Sequence, residues 1–384
     1  MKKFIARNFQ NIEPSSMLET NALAKSYNDV INLSIGDPDL NTDKEIIDAC
    51  YKDLLNGHTH YSNPLGYEDL RKAIIDDYYN EYNIKFNLDE IIITTSATHA
   101  MFLVLKALLD KDDEVIIFDP YFSSYSQQID LNNGKIVTVK TYEENDYQLV
   151  KEDIEEKITS KTKAIIINNP ANPTGVHYNQ ESYNILKEIV LKHDLLIIAD
   201  DIYTILTYED KFIPINTIKE LKNRIITVRS FSKDYCMTGF RIGYILAPSE
   251  IINVLNIINE GVVYSPPSVS QRAALYAIQN KKQIQEKIIN TFKERINYAY
   301  EEINKINFLS CKKPKGSIYL FVNIKKTNMT SNEFCKWFLE KYHILVLPGN
   351  IFGKGGEGYI RIALTVGIDK LKEAFERIRK SPFS

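Results

Sequence analysis

Residues 230–244 read SFSKDYCMTGFRIGY, placing one amine, Lys233, among small hydroxyl side chains and Arg241 between two glycines. Surface lysines usually have charged neighbours; the setting of this one is that of an interior task. Other short stretches supply complementary groups. Asp200, Asp201 and Tyr203 follow the apolar run LLIIA, and Asn172 falls in NNPANPTG, directly after KAIIIN. Ser96, Ala97 and Thr98 follow IIITT and open an apolar helical pattern. A helix start offers free N–H groups and a positive dipole end to a phosphate. An amine, a carboxylate, a phenol, an amide and such a cradle together meet the needs of pyridoxal phosphate. Its aldehyde takes a lysine as a Schiff base, and its pyridine nitrogen takes a carboxylate that keeps the ring an electron sink. Tyr203 and Asn172 are candidate donors to its phenolic oxygen.

These residues need elements that bring them to one place. Seven short runs read as strands: 91–95, 114–118, 135–140, 163–168, 195–199, 224–228 and 242–246. Most are rich in isoleucine and valine without polar alternation, as in strands buried on both faces. Helical patterns such as HAMFLVLKALLD (99–110) and QESYNILKEIVLKH (180–193) separate several of them. The alternation predicts an α/β fold with a seven-stranded, mainly parallel sheet between helices. Ligands collect at the carboxyl ends of such strands, so the polar residues directly after each run are expected on one rim. After about residue 247 the pattern changes to a long charged helix from Lys281 to about Ile306. Strand-like SIYLFVNI, HILVLPG and YIRIALT come next, with a helical EFCKWFLEKY (333–342) among them. This predicts a smaller α+β domain, with 45–285 as the large cofactor-binding domain and 1–44 plus 286–384 as the small one.

INLSIGDPDL, YSNPLGYEDLR, NNPANPTG, ADDIY, SFSKDYCMTGFRIGY and GYIRIALT occur in that order along nearly the whole chain. With them the sequence resembles the class I/II aminotransferases, the fold type I pyridoxal-phosphate family that includes aspartate and aromatic aminotransferases. The resemblance implies roles residue by residue. Lys233 is the Schiff-base lysine and proton shuttle, Asp200 pairs with the pyridine nitrogen, and Tyr203 and Asn172 serve the phenolic oxygen. Ser230 and Arg241 hold the phosphate beside Ser96, Ala97 and Thr98, and Phe122 of PYFSSY stacks on the ring. Arg361 grips the substrate α-carboxylate as a bidentate fork, and Gly36 lets the backbone approach the substrate. Tyr61 reaches the phosphate of a neighbouring subunit, which implies a homodimer with shared sites. The implied reaction passes an amino group from an amino acid to a 2-oxo acid, 2-oxoglutarate in much of the family, by ping-pong kinetics. A carbon–sulfur β-lyase on the same scaffold is the alternative.

Each residue also has a plainer reading. Asp200 or Asp201 could cap a helix, Arg241 could form a structural ion pair, and Phe122 or Tyr61 could simply pack. GKGGEG (353–358) lacks the strand-to-helix setting of a phosphate loop and reads as a surface turn. His58 and His60 have no further ligands nearby, so no metal is expected. A net charge of -3 and mixed charges point away from nucleic acid. No run approaches the roughly 20 apolar residues of a membrane span. Four dispersed cysteines suit reduced thiols in the cytoplasm.

Overall fold

The computed structural model describes residues 2–6 and 22–380, so much of the N-terminal part of the expected small domain lies outside the described residues. The strands are β1 (Ile31–Asn32), β2 (Ile91–Thr94), β3 (Glu114–Asp119), β4 (Lys135–Lys140), β5 (Thr162–Asn168) and β6 (Leu196–Asp200). They continue with β7 (Ile225–Ser230), β8 (Gly243–Leu246), β9 (Tyr319–Asn323), β10 (Ile344–Leu345), β11 (Leu347–Pro348) and β12 (Tyr359–Ala363).

β2 to β8 form a seven-stranded sheet in the order β2-β8-β7-β6-β5-β3-β4. All neighbours are parallel except β8, which runs antiparallel to both β2 and β7. Strand periodicity sorts the buried side chains to two faces. Ile165, Ile167 and Ile197 join Leu186, Ile189 and Val190 of the helix Gln180–His193 in one apolar cluster. Ala164, Ile166 and Ile198 join Leu103 and Val104 of the helix Ala97–Leu108 in another. A covered sheet explains the continuous isoleucine runs. β4 is the exception: it lies at the sheet edge with most of its residues exposed or half-exposed, and an exposed lysine stands at each end.

The helix at 180–193 begins where Asn179 Oδ1 accepts the Ser182 N–H at 2.9 Å, and it ends at Asp194, φ 57°. Such a side-chain cap satisfies one of the donors left free at a helix start. The long charged helix spans Lys281–Ile303, a little shorter than the sequence suggests.

Beside the large sheet, β9, β11 and β12 form an antiparallel sheet in the order β11-β12-β9. The apolar run HILVLPG divides: β10 pairs with β1 in parallel, and β11 pairs with β12. The Ala363 N–H donates to the Leu33 carbonyl at 2.7 Å, drawing the N-terminal segment alongside β12.

The glycine-rich 353–358 stretch is not a free surface turn. Gly353 and Gly356 are buried, and the Gly355 N–H donates to both oxygens of Asp119, at 3.0 and 2.9 Å. Gly353 has φ 110°, and a Cβ there would meet Asp119 Oδ1 at 2.3 Å, so glycine is required by both torsion and space.

Candidate active site

A cavity of about 580 Å³ opens where the two sheets meet. Lys233, Asp200, Tyr203, Asn172, Arg361 and Gly36 line it, as do Ser230, Arg241, Phe122 and the 96–98 helix start. Tyr61 does not; it is 83% exposed and packs edge-on against Tyr264 at 5.0 Å.

The sheet topology accounts for this convergence. Phe122, Asn172, Asp200 and Lys233 come from the carboxyl ends of β3, β5, β6 and β7, or just beyond them. Arg241 precedes its strand instead of following it. Because β8 is antiparallel, its amino end lies at the rim where the carboxyl ends of its neighbours lie. Gly243, next along, is needed for the same packing: a Cβ would meet the Ala97 nitrogen at 2.9 Å and the Arg229 carbonyl at 2.6 Å.

At the 97–108 helix start, Ser96 has φ 92° and its hydroxyl accepts the His99 N–H at 3.3 Å. A non-glycine residue held in that region is strained, and such strain gathers at ligand sites. The side chain of Asn168 ties two rim segments together. Its Nδ2 donates to the Asp200 carbonyl at 2.8 Å, and its Oδ1 accepts the Asn172 N–H at 2.7 Å.

Asp200 is buried, and burial pushes its carboxyl up to about 7 against the opposing hydrogen bond from Tyr125. The Tyr125 hydroxyl donates to Oδ2, whereas Oδ1 is buried with no partner among the described residues. A buried carboxylate oxygen without a donor is costly unless a further group supplies one. A protonated pyridine nitrogen is such a group. Lys233 Nζ donates to the Gly36 carbonyl, and burial lowers the amine below its ordinary range. A buried amine is more readily neutral and nucleophilic.

Tyr203 and Tyr319 hydroxyls lie 3.0 Å apart, and burial drives the Tyr203 phenol well upward. Tyr319 also explains Gly36: a Cβ there would lie 2.0 Å from the Tyr319 hydroxyl. Arg361 stands on β12 with its guanidinium 4.2 Å from the Tyr319 ring and 4.9 Å from that of Phe352. Its fork is not empty. Nη1 donates to Asn172 Oδ1 at 3.0 Å and Nη2 to the Ser34 carbonyl at 2.6 Å, leaving Nε buried without a partner. The Ser230 hydroxyl caps the short helix Phe231–Asp234, accepting the Ser232 N–H at 3.0 Å.

Tyr125 and Tyr319 are not among the residues that the motifs single out. Tyr125 lies three residues beyond Phe122 in PYFSSY, and its N–H donates to the Phe122 carbonyl at 3.0 Å. For Tyr319, within an ordinary strand run, no local signal exists.

The donor set of this cavity fits pyridoxal phosphate. The model of aminotransferase class I and II matches residues 28–378, and the chain belongs to that family. It is 36% identical to the aspartate aminotransferase of Bacillus subtilis strain 168 over 387 residues, covering 98% of each chain. The solved aspartate aminotransferase of Thermotoga maritima superposes with a TM-score of 0.92 at 33% identity, covering 97% of this chain and 98% of that one. The aromatic aminotransferase of Pyrococcus horikoshii OT3 gives 0.89 at 33% identity, covering 94% and 98%.

Proposed function

We propose that the enzyme moves an amino group from an amino acid to a 2-oxo acid, 2-oxoglutarate, in two half-reactions, the first product leaving before the second substrate binds. The observation that carries the reading is the buried Oδ1 of Asp200, which has no donor among the described residues. Pyridoxal phosphate, when bound, supplies the aldehyde that takes up amines and the ring that accepts the electrons of a broken Cα–H bond. Asp200 holds the pyridine nitrogen protonated, and Tyr203 and Asn172 donate to the phenolic oxygen. Phe122 stacks on the ring. Ser230, Arg241 and the 96–98 helix start hold the phosphate.

Lys233 Nζ anchors the cofactor, and once released carries the proton away from and back to Cα. Its burial supports this role, since a neutral amine can accept that proton. Arg361 takes the substrate α-carboxylate, which replaces the Asn172 and Ser34 oxygens now on its fork or uses Nε. The charge-assisted pair so formed is stronger than the neutral ones it replaces.

Tyr61 serves the neighbouring subunit of a homodimer. Its exposure supports this, as do the exposed apolar side chains of Ile47, Tyr51, Leu55, Ile257 and Tyr264. The division into a 45–285 cofactor domain and a small domain of 1–44 and 286–384 belongs to the same reading, supported by the separate sheets. Unpaired Cys50, Cys236, Cys311 and Cys335 support a cytoplasmic setting.

The test is the visible spectrum of the purified protein as single amino acids are added without any oxo acid. The expected result is a yellow lysine-linked band that converts to the amine form, with the responsive amino acids ranking the donors. Acidic and aromatic amino acids head the panel, after the named relatives. A band that persists while pyruvate accumulates would replace this reading by the lyase. Lys233→Ala should abolish turnover, and a variant still active near the original rate would sink the assignment.

A further inference from the structure

Lys233 lies on the helix Phe231–Asp234, only four residues long. So short a helix has no stability of its own, yet its lysine must meet a cofactor in one geometry. The support comes from the far side of β7. Successive residues of a strand point to opposite faces. Ser230 lines both the active-site cavity and a separate cavity of about 270 Å³ behind it, whereas Arg229 lines only the second.

There Arg229 Nη2 lies 3.0 Å from Asp234 Oδ2, with side-chain exposures of 9% and 2%. The same Nη2 donates to Thr204 Oγ1, and Thr204 Oγ1 donates to Asp234 Oδ2 at 2.8 Å. One hydroxyl acting as donor and acceptor closes a three-membered ring of hydrogen bonds. The Tyr78 ring packs on the guanidinium at 5.5 Å. Asp201, also near Arg229, is pushed up to about 8 by burial, and burial raises the Asp234 carboxyl too, opposed by Arg229 and the Thr204 hydrogen bond.

Each member of this ring is the chain neighbour of a cavity residue. Arg229 precedes Ser230, Asp234 follows Lys233 and Thr204 follows Tyr203. Consecutive Cα atoms are about 3.8 Å apart, so fixing one side chain fixes the backbone that carries the next. We infer that Arg229, Asp234 and Thr204 are positioning residues, a clamp that holds Ser230, Lys233 and Tyr203 from behind in one mutual arrangement. This rests on the proposed roles of those three residues. None of the clamp residues lines the active-site cavity, so they act through the residues beside them and not by contact within it.

Removing one partner of a buried ion pair strands the other charge and endangers folding. The test therefore uses a double variant, Arg229→Met with Asp234→Asn, which leaves no unpaired charge and keeps the volumes close. Thr204→Val and Thr204→Ser complete the set. The readouts are thermal unfolding, the pH titration of the lysine-linked absorption band, cofactor dissociation, and kcat and KM separately.

The clamp predicts that the double variant unfolds cooperatively but shifts the titration midpoint of the band by about half a pH unit or more. Cofactor should dissociate roughly tenfold more readily and kcat fall roughly tenfold, with KM within about threefold, because Arg361 stands on another sheet. Thr204→Val should move the same readouts in the same direction, and Thr204→Ser should restore them. A folded double variant, or Thr204→Val should the double not fold, with unaltered band titration and kcat overturns the clamp. Absence of the band in the unmodified enzyme overturns the proposed cofactor roles instead, so the two failures are distinct.

Discussion

The Tyr125 hydroxyl donates to one oxygen of Asp200 and leaves the other, Oδ1, buried and unpartnered at the cavity. The two residues are 75 positions apart in the chain. Tyr125 lies on the helix Ser124–Leu131 after β3, and Asp200 closes β6, so they meet only because β3, β5 and β6 are neighbours in the sheet. The bond fixes the carboxylate and keeps one oxygen for a further donor. It also opposes the effect of burial on the carboxyl.

Asp200→Asn removes the charge proposed to pair with the pyridine nitrogen. Stranding a buried charge costs about 3–5 kcal/mol, so kcat/KM should fall roughly 10²- to 10⁴-fold. Single-turnover measurement of the first half-reaction checks this, with unfolding followed in parallel.

Tyr125→Phe removes one hydrogen bond from the same carboxylate and leaves the site otherwise intact. A lost bond to a charged group is worth about 1.5–3 kcal/mol. Cofactor affinity should drop by roughly 10- to 100-fold, read by equilibrium dialysis or by the decay of the visible band on dilution.

Arg361→Lys keeps a positive charge but loses the planar fork packed by Tyr319 and Phe352. KM for the amino acid should rise roughly 10- to 100-fold. Cofactor binding should change far less, through the lost bond to Asn172 Oδ1 alone. Steady-state kinetics beside a cofactor titration separate the two.

The buried carboxyl of Asp200 predicts a pH dependence of stability. Its value in the fold is about 7, above the ordinary 3.8, so between these the folded chain keeps a proton that the unfolded chain has released. The cofactor-free fold is therefore favoured below the lower value and loses that advantage as pH rises to the upper one. Each unit of difference corresponds to about 1.4 kcal/mol. Cofactor-free Asp200→Asn should gain in Tm relative to the unmodified chain as pH rises from about 4 to 7. With cofactor bound the comparison should reverse, because the ring nitrogen then stabilises the ionised carboxylate. Melting curves at several pH values, with and without cofactor, decide it.

Residue types and short-range pattern are enough to specify most of the residues that line the cavity and the sheet that assembles them. Lys233, Asp200, Tyr203 and Asn172 stand beside apolar runs whose composition marks them as buried strands, and a parallel sheet gathers the residues after such strands at one rim. Helix 180–193 is legible to the residue because its cap and period are local. Long-range contacts settled everything else. They set β8 antiparallel, bringing Arg241 to the rim ahead of its strand. They turned GKGGEG from an expected surface turn into a cradle for Asp119, and they brought Tyr319 to Tyr203, Gly36 and Arg361. Tyr125 against Asp200 and Arg229 against Thr204 belong to the same class. Periodicity and caps act within a few turns of chain, whereas these partners meet through strand order and side-chain packing, which no local pattern encodes.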